Sequence, residues 1–306
     1  MPSTDDTQLP SAFADPPVAA VRDAVTRALA EDVLPLGDLT ASLVDPRHRA
    51  TMRLVARSAG VAAGRRCALE TFHQVDTGVR VDWPTPDGAP VQPGTVLAEV
   101  EGSMASILTA ERTALNFVCH LSGIATATRR LVDAVVAANP ATRVLDTRKT
   151  LPGLRALQKA AVRAGGGTNH RGSLSDAVLV KDNHLGGLTI AGAVGLARTR
   201  WPGRMVEVEC DTLDQVEQAV AAGASVIMLD NMGPEQVAEA VALVRSSGGP
   251  GVLVEVSGGV TLATAPAYAA AGADLVSVGA LTHSVQALDV GLDLVAVPAT
   301  PAPPEP

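Results

Sequence analysis

Met205-Val-Glu-Val-Glu209, Val226-Ile-Met-Leu-Asp230, Leu253-Val-Glu-Val-Ser-Gly-Gly259 and Leu275-Val-Ser-Val-Gly279 are short β-branched runs, and their reading decides the fold. Each has the length and composition of a buried strand. The stretches between them carry helix signals. Thr212-Leu213-Asp214-Gln215 is a capping box closed by Gly223, and Pro234 follows Gly233 at a helix start. Two more runs lie upstream, Val144-Leu145-Asp146 and Val178 to Lys181. Strands that alternate with helices predict a parallel sheet built by crossovers. Six of them fit an open or closed β/α barrel. No Gly-x-Gly-x-x-Gly follows a first strand, so a dinucleotide-binding sheet is not indicated.

Working outward, residues 18–120 read as a separate module. Pro17 to Ala30 has a helical apolar face of Val18, Val21, Val25, Ala28 and Leu29. Strand-like pieces follow at Thr51 to Arg57, Val79 to Trp83 and Thr95 to Val100, divided by turns such as Asp87-Gly88 and Pro93-Gly94. Together they predict a small N-terminal α/β sandwich. An Ala-rich helical stretch, Ile107 to Asn139, leads into the barrel, with Ser122-Gly123 as a candidate break. The barrel is expected over 121–292. Polar and Pro-bearing 1–17 and Pro/Ala-rich 293–306 are expected to be disordered tails.

Composition limits the function classes. The chain has 306 residues, 47% of them hydrophobic but only 2% aromatic, so Val, Leu, Ile and Ala must build the core. The net charge of -8 argues against nucleic acid as a partner. No apolar run approaches the roughly 18 residues a membrane span needs. The N-terminus lacks the basic and apolar segments of a signal peptide. Cys67, Cys119 and Cys210 are isolated, which suits thiols in a reducing cytoplasm.

Nearly every expected barrel strand ends in a polar or backbone-exposing residue. These ends are Asp146 with Thr147-Arg148-Lys149, then Lys181, Glu209, Asp230, Ser257-Gly258-Gly259 and Gly279. Strand carboxyl ends gather around one site in β/α barrels. Arg148, Lys149, Arg171 and Lys181, with His170 beside them, suit a ligand with several carboxylates or phosphates. Glu209 and Asp230 suit Mg²⁺ held together with phosphate oxygens, or salt bridges to the nearby lysines. Ser257-Gly258-Gly259 and Gly279 suit a phosphate grip across two late loops, and turns use the same residues. His283 lies just past Gly279, either facing the site or on the surface. Lys181 at a strand end also fits a Schiff-base enzyme. A phosphate-sugar binding protein without turnover is a further alternative. Arg112 reads as a helix-surface residue or a partner of Glu111.

Eight stretches resemble the signature blocks of quinolinate phosphoribosyltransferases. They are Thr109-Ala-Glu-Arg112-Thr-Ala-Leu-Asn116-Phe117, Asp146-Thr-Arg148-Lys149-Thr-Leu-Pro-Gly153, Gly165-Gly-Gly-Thr-Asn-His170-Arg171, Lys181-Asp-Asn-His184, Val208-Glu209-Cys210, Met228-Leu-Asp230-Asn-Met232, Glu255-Val-Ser257-Gly258-Gly259 and Ser277-Val-Gly279-Ala-Leu-Thr-His283-Ser284. The resemblance covers roughly residues 18 to 292. It implies a type II phosphoribosyltransferase-like fold, an α/β sandwich followed by an open β/α barrel. It implies synthesis of nicotinate mononucleotide from quinolinate and phosphoribosyl pyrophosphate, with loss of carbon dioxide, in NAD biosynthesis. On this likeness Arg112 of one subunit of a homodimer enters the partner's site. Arg112, Thr147, Arg148, His170, Arg171 and Lys181 would bind quinolinate. Lys149, Ser257, Gly258, Gly259, Gly279, Ala280, Leu281 and His283 would bind the phosphates, and Glu209 and Asp230 would bind Mg²⁺. The catalytic set would be Lys149, Lys181, Glu209 and Asp230.

Overall fold

The structure is a computed structural model, and residues 15–247 and 251–296 are described. In chain order the strands are β1 Arg49–Ala56, β2 Gly60–Val61, β3 Arg80–Asp82, β4 Pro90–Val91, β5 Val96–Ser103, β6 Arg143–Leu145, β7 Val178–Val180, β8 Val206–Cys210, β9 Val226–Asp230, β10 Leu253–Ser257, β11 Leu275–Ser277 and β12 Val290–Ala296. The chain divides into two compact units. Among the described residues one comprises 15–127, 151–166 and 284–296, and the other 128–150, 167–247 and 251–283. These compact units interleave along the chain.

In the first unit four strands form an antiparallel sheet in the order β12-β1-β5-β3. Ala50, Met52, Leu54 and Ala56 sit at alternate positions of β1 and point into the core, as the period of a half-buried strand requires. They meet Ile107, Ala110, Ala114 and Val118, which recur along the helix Met104–Ala138. Phe72 and Phe117 are the aromatic side chains buried among the described residues, so small aliphatic groups fill the rest.

Three features depart from the sequence expectation. The 35-residue helix Met104–Ala138 is unbroken at Ser122-Gly123. Ser122 Oγ both accepts from Ala63 N–H and donates to Ala63 C=O, so its hydroxyl finds partners outside the helix. Gly123 admits a close neighbour instead, because a Cβ there would lie 2.3 Å from the Gln286 carbonyl oxygen. A further helix, Arg65–Val75, stands between two of the expected strands. Finally, the C-terminal tail does not begin at 293. Asp293, Leu294 and Ala296 pair with Arg53, Met52 and Thr51, so β1 orders them. Residues 1–14 and 297–306 of the expected tails lie outside the described residues.

The second unit holds six strands in the order β6-β11-β10-β9-β8-β7, every neighbouring pair parallel. The first strand thus pairs with the last, as in a barrel, while β6 and β7 stand at opposite ends of the order, and Leu145 of β6 bridges to Thr168 in the segment before β7. The barrel is open at that edge. The helix Arg155–Ala164, which follows β6, buries Leu157, Ala161 and Val162 in the core of the first unit. The expected capping box is present. Thr212 Oγ1 accepts from Gln215 N–H, Gln215 Oε1 accepts from Thr212 N–H, and Gly223 ends the helix at φ +82°. Pro234 opens the helix Pro234–Ser247.

Candidate active site

Strand register decides which side chains share a face. Glu209 lies opposite Met228, Met228 opposite Glu255, and Asp230 opposite Ser257. Leu179 lies opposite Glu207. In a strand alternate residues share a face. The register therefore places Lys181, Glu207, Glu209, Asp230, Glu255 and Ser257 on one face at the carboxyl ends of β7 to β10. Of the strand ends singled out in the sequence, Lys181, Glu209, Asp230 and Ser257 thus share one face. Beneath them lie Glu207 and Glu255, which the sequence reading passed over because it took only the last residue of each run.

The cationic side begins at β6. Asp146 is fully buried. Its carboxylate accepts from Asn169 Nδ2 at 2.6 Å and from His170 N–H at 2.9 Å. Thr168 N–H donates to Val144 C=O, so the segment after the three glycines lies alongside β6. This places His170 and Arg171 by the sheet. Burial first, then the neighbouring Arg148 charge, lowers the Arg171 guanidinium below its ordinary value. Two guanidinium groups that repel each other favour an anion near both. Arg171 Nη1 also donates to Ala177 C=O at 3.3 Å.

The Lys181 ammonium is paired with Glu209 Oε2. The salt-bridge reading of Glu209 is therefore realised in this structure. Asp230 accepts from its neighbour, Asn231 Nδ2, at 2.7 Å. Asn231 has φ 57°, a left-handed conformation that asparagine tolerates. Its N–H donates to Ser257 C=O at 3.1 Å, tying the turn after β9 to the turn after β10. Gly258 (φ +89°) fits because a Cβ there would lie 2.3 Å from Asn231 Oδ1. Gly259 (φ +59°) faces open space.

Gly279 gathers the remaining residues. A Cβ on it would meet Lys149 Cδ at 2.9 Å, His283 Nε2 at 3.3 Å and Thr147 Oγ1 at 3.4 Å. Thr147 Oγ1 accepts from Lys149 N–H, and Lys149 C=O accepts from Thr282 Oγ1 at 2.7 Å. Lys149, Ala280 and His283 are exposed, whereas Leu281 is buried and packs into the core. Arg112 belongs to the first unit. It is exposed on its helix and forms no ion pair with Glu111 among the described residues.

His170 adds a finding of its own. Nδ1 accepts from the Arg171 N–H at 2.8 Å. Nε2 lies 3.1 Å from Glu207 Oε2 and 3.5 Å from Glu255 Oε1. The ring is 9% exposed, and each carboxylate side chain 1%. Burial, and then Glu207, pushes the Glu255 carboxyl up to about 8. The first unit contains cavities of about 350 and 250 Å³, the smaller lined by Thr113, Asn116 and His120, and none of the site residues expected from the sequence lines either.

The chain is similar to known proteins over most of its length. The family model for the quinolinate phosphoribosyl transferase N-terminal domain matches residues 38–122, and that for the C-terminal domain matches residues 124–293. The nicotinate-nucleotide pyrophosphorylase [carboxylating] of Mycobacterium leprae is 46% identical over 279 residues, which is 90% of this chain and 97% of the relative. A mitochondrial quinolinate phosphoribosyltransferase [decarboxylating] of Nicotiana glauca is 36% identical over 319 residues, covering 95% of this chain and 88% of the relative. The solved nicotinate-nucleotide pyrophosphorylase of Francisella tularensis superposes with a TM-score of 0.86 at 40% identity, over 92% of this chain and 98% of that one. With both halves matched in order and strand-end chemistry to go with them, the chain belongs to the quinolinate phosphoribosyltransferase family.

Proposed function

We propose that the chain joins quinolinate to phosphoribosyl pyrophosphate, giving nicotinate mononucleotide, pyrophosphate and carbon dioxide in NAD biosynthesis. One observation carries this reading beyond family membership. Lys181, Glu209, Asp230 and Ser257 share one face at the strand carboxyl ends, and Arg148 and Arg171, whose charges act on each other, lie in the segments after β6 and beside it. A planar dicarboxylate matches two guanidinium forks, and a monocarboxylate leaves one unused.

The quinolinate ring nitrogen attacks C1 of the ribosyl group, and the bond from C1 to the pyrophosphate oxygen breaks. The carbon–carbon bond to the carboxylate beside the ring nitrogen then breaks. Carbon dioxide leaves, and the ring carbon takes a proton from solvent. The positive ring nitrogen accommodates the electron pair left behind. Arg148, Arg171 and Lys181 hold the carboxylates and so orient the ring, with Thr147 beside them. Lys149 and His283 offset phosphate charge, and the Ser257-Gly258-Gly259 and Gly279-Ala280-Leu281 turns seat the 5′-phosphate.

Glu209 and Asp230 end adjacent strands on one face and offer hard carboxylate oxygens, a donor set that fits Mg²⁺. When bound, Mg²⁺ neutralises the leaving pyrophosphate. Glu209 would then exchange its Lys181 partner for the cation, freeing the ammonium for substrate. Arg112, exposed and outside any ion pair among the described residues, supports a homodimer in which it completes the partner's site. We place the enzyme in the cytoplasm, in keeping with three isolated cysteines.

Product formation from quinolinate and phosphoribosyl pyrophosphate, titrated with Mg²⁺, tests the reading. Wild type should require the metal, and Asp230→Ala should need at least about tenfold more of it. An identical Mg²⁺ curve for Asp230→Ala would remove the metal role, and absence of product from wild type would remove the function.

A further inference from the structure

His170 directly precedes Arg171 in the expected site, yet its ring looks inward. One nitrogen accepts from the Arg171 main chain, and the other faces Glu207 and Glu255. The same stretch is anchored a second time, by Asp146 holding Asn169 Nδ2 and His170 N–H. Residues 168–171 are thereby fixed to β6, β8 and β10 by buried polar groups, and the first side chain free of that anchorage is Arg171.

Buried carboxylates are costly unless their partners are well placed. Glu207 and Glu255 are fully buried and end nowhere near solvent. They occupy strand positions where the core elsewhere uses Val, Leu or Ile. An apolar pair of the same shape would pack there without that cost. What the carboxylates supply and an apolar pair cannot is a fixed direction for the imidazole.

We infer that Glu207, Glu255 and Asp146 are positioning residues of the quinolinate subsite, acting through His170 on the direction of the Arg171 guanidinium, and that His170 is itself a positioning residue. This rests on the proposed function, and it reassigns His170 from a substrate contact to a support. A guanidinium fork recognises a carboxylate in one plane, so a shift of about 1 Å in its main chain can cost up to about a hundredfold in activity. The proposed function gives quinolinate to Arg171 and the phosphates to the turns after β10 and β11, so the effect should fall mainly on one substrate.

The test is a set of kinetic double-mutant cycles on the full chain, with Glu255→Ala, His170→Ala and Arg171→Ala. Glu255→Ala should raise the KM for quinolinate about tenfold, with the KM for phosphoribosyl pyrophosphate within about twofold of wild type. Glu255→Gln, which keeps shape and a polar tip, should recover most of the loss. In the background of Arg171→Ala, neither Glu255→Ala nor His170→Ala should add more than about twofold, because the route through Arg171 is already cut. If Glu255→Ala does not fold, the His170→Ala cycle decides alone. Multiplicative losses in that cycle would show that His170 meets the substrate directly and would overturn the inference. So would equal rises in both KM values. Wild type inactive on quinolinate overturns the proposed function and this inference together, whereas an active wild type with multiplicative cycles overturns only the inference.

Discussion

Arg148→Ala is expected to weaken quinolinate binding about a hundredfold while leaving the fold intact. A charge-assisted hydrogen bond is worth about 1.5–3 kcal/mol, and a bidentate arginine provides two. Loss of about 3 kcal/mol corresponds to roughly a hundredfold in affinity. Arg148→Lys should fare little better than alanine, since an ammonium is a point charge without the planar fork. Calorimetric titration with quinolinate reads the result. An affinity within twofold of wild type would remove Arg148 from the acid subsite.

Gly258→Ala is the second large effect. Its φ of +89° lies in the left-handed region, which costs about 1–2 kcal/mol for an L side chain. The methyl group would also sit 2.3 Å from Asn231 Oδ1 and 2.8 Å from the Asn231 nitrogen. Asn231 is backbone-bonded to Ser257 and side-chain-bonded to Asp230, so it cannot yield without moving both. One methyl thus disturbs the phosphate turn and the metal carboxylate together. The KM for phosphoribosyl pyrophosphate should rise about a hundredfold and the Mg²⁺ requirement with it. Gly259→Ala should cost less, because its Cβ would meet nothing within 4 Å. A Gly258→Ala enzyme with an unchanged KM for phosphoribosyl pyrophosphate would contradict the coupling of the two turns.

The barrel strands were legible because each is a short β-branched run ending in a polar residue, a local pattern. Val226 to Asp230 and Leu253 to Ser257 match the observed strands residue for residue. Other features depend on partners distant in sequence. Ser122-Gly123 looks like a helix break until Ala63 and Gln286 are in place beside it. The last strand was missed although Val290, Leu292 and Leu294 alternate with Gly291 and Asp293, because it runs into the Pro/Ala-rich stretch and takes its partner, β1, from far upstream. The helix Arg155–Ala164 reads as part of the barrel but buries its apolar face in the other unit.

The site shows the same division. Lys181, Glu209, Asp230, Ser257 and Gly279 could be picked out as strand ends. Glu207 and Glu255 carried a signal too, an acidic residue in the middle of an otherwise β-branched run, two positions before the end. Period two places such a residue on the same face as the strand end. The inward direction of His170 had no sequence signal, since it follows from a segment docked beside β6.

Quinolinate labelled in the carboxylate next to the ring nitrogen gives the most direct measurement. Incubated with phosphoribosyl pyrophosphate and Mg²⁺, the enzyme should release labelled carbon dioxide in one-to-one ratio with pyrophosphate, with nicotinate a poor replacement for quinolinate. Release without phosphoribosyl pyrophosphate, or pyrophosphate formed equally well from nicotinate, would contradict a site built around a pair of arginines for a dicarboxylate.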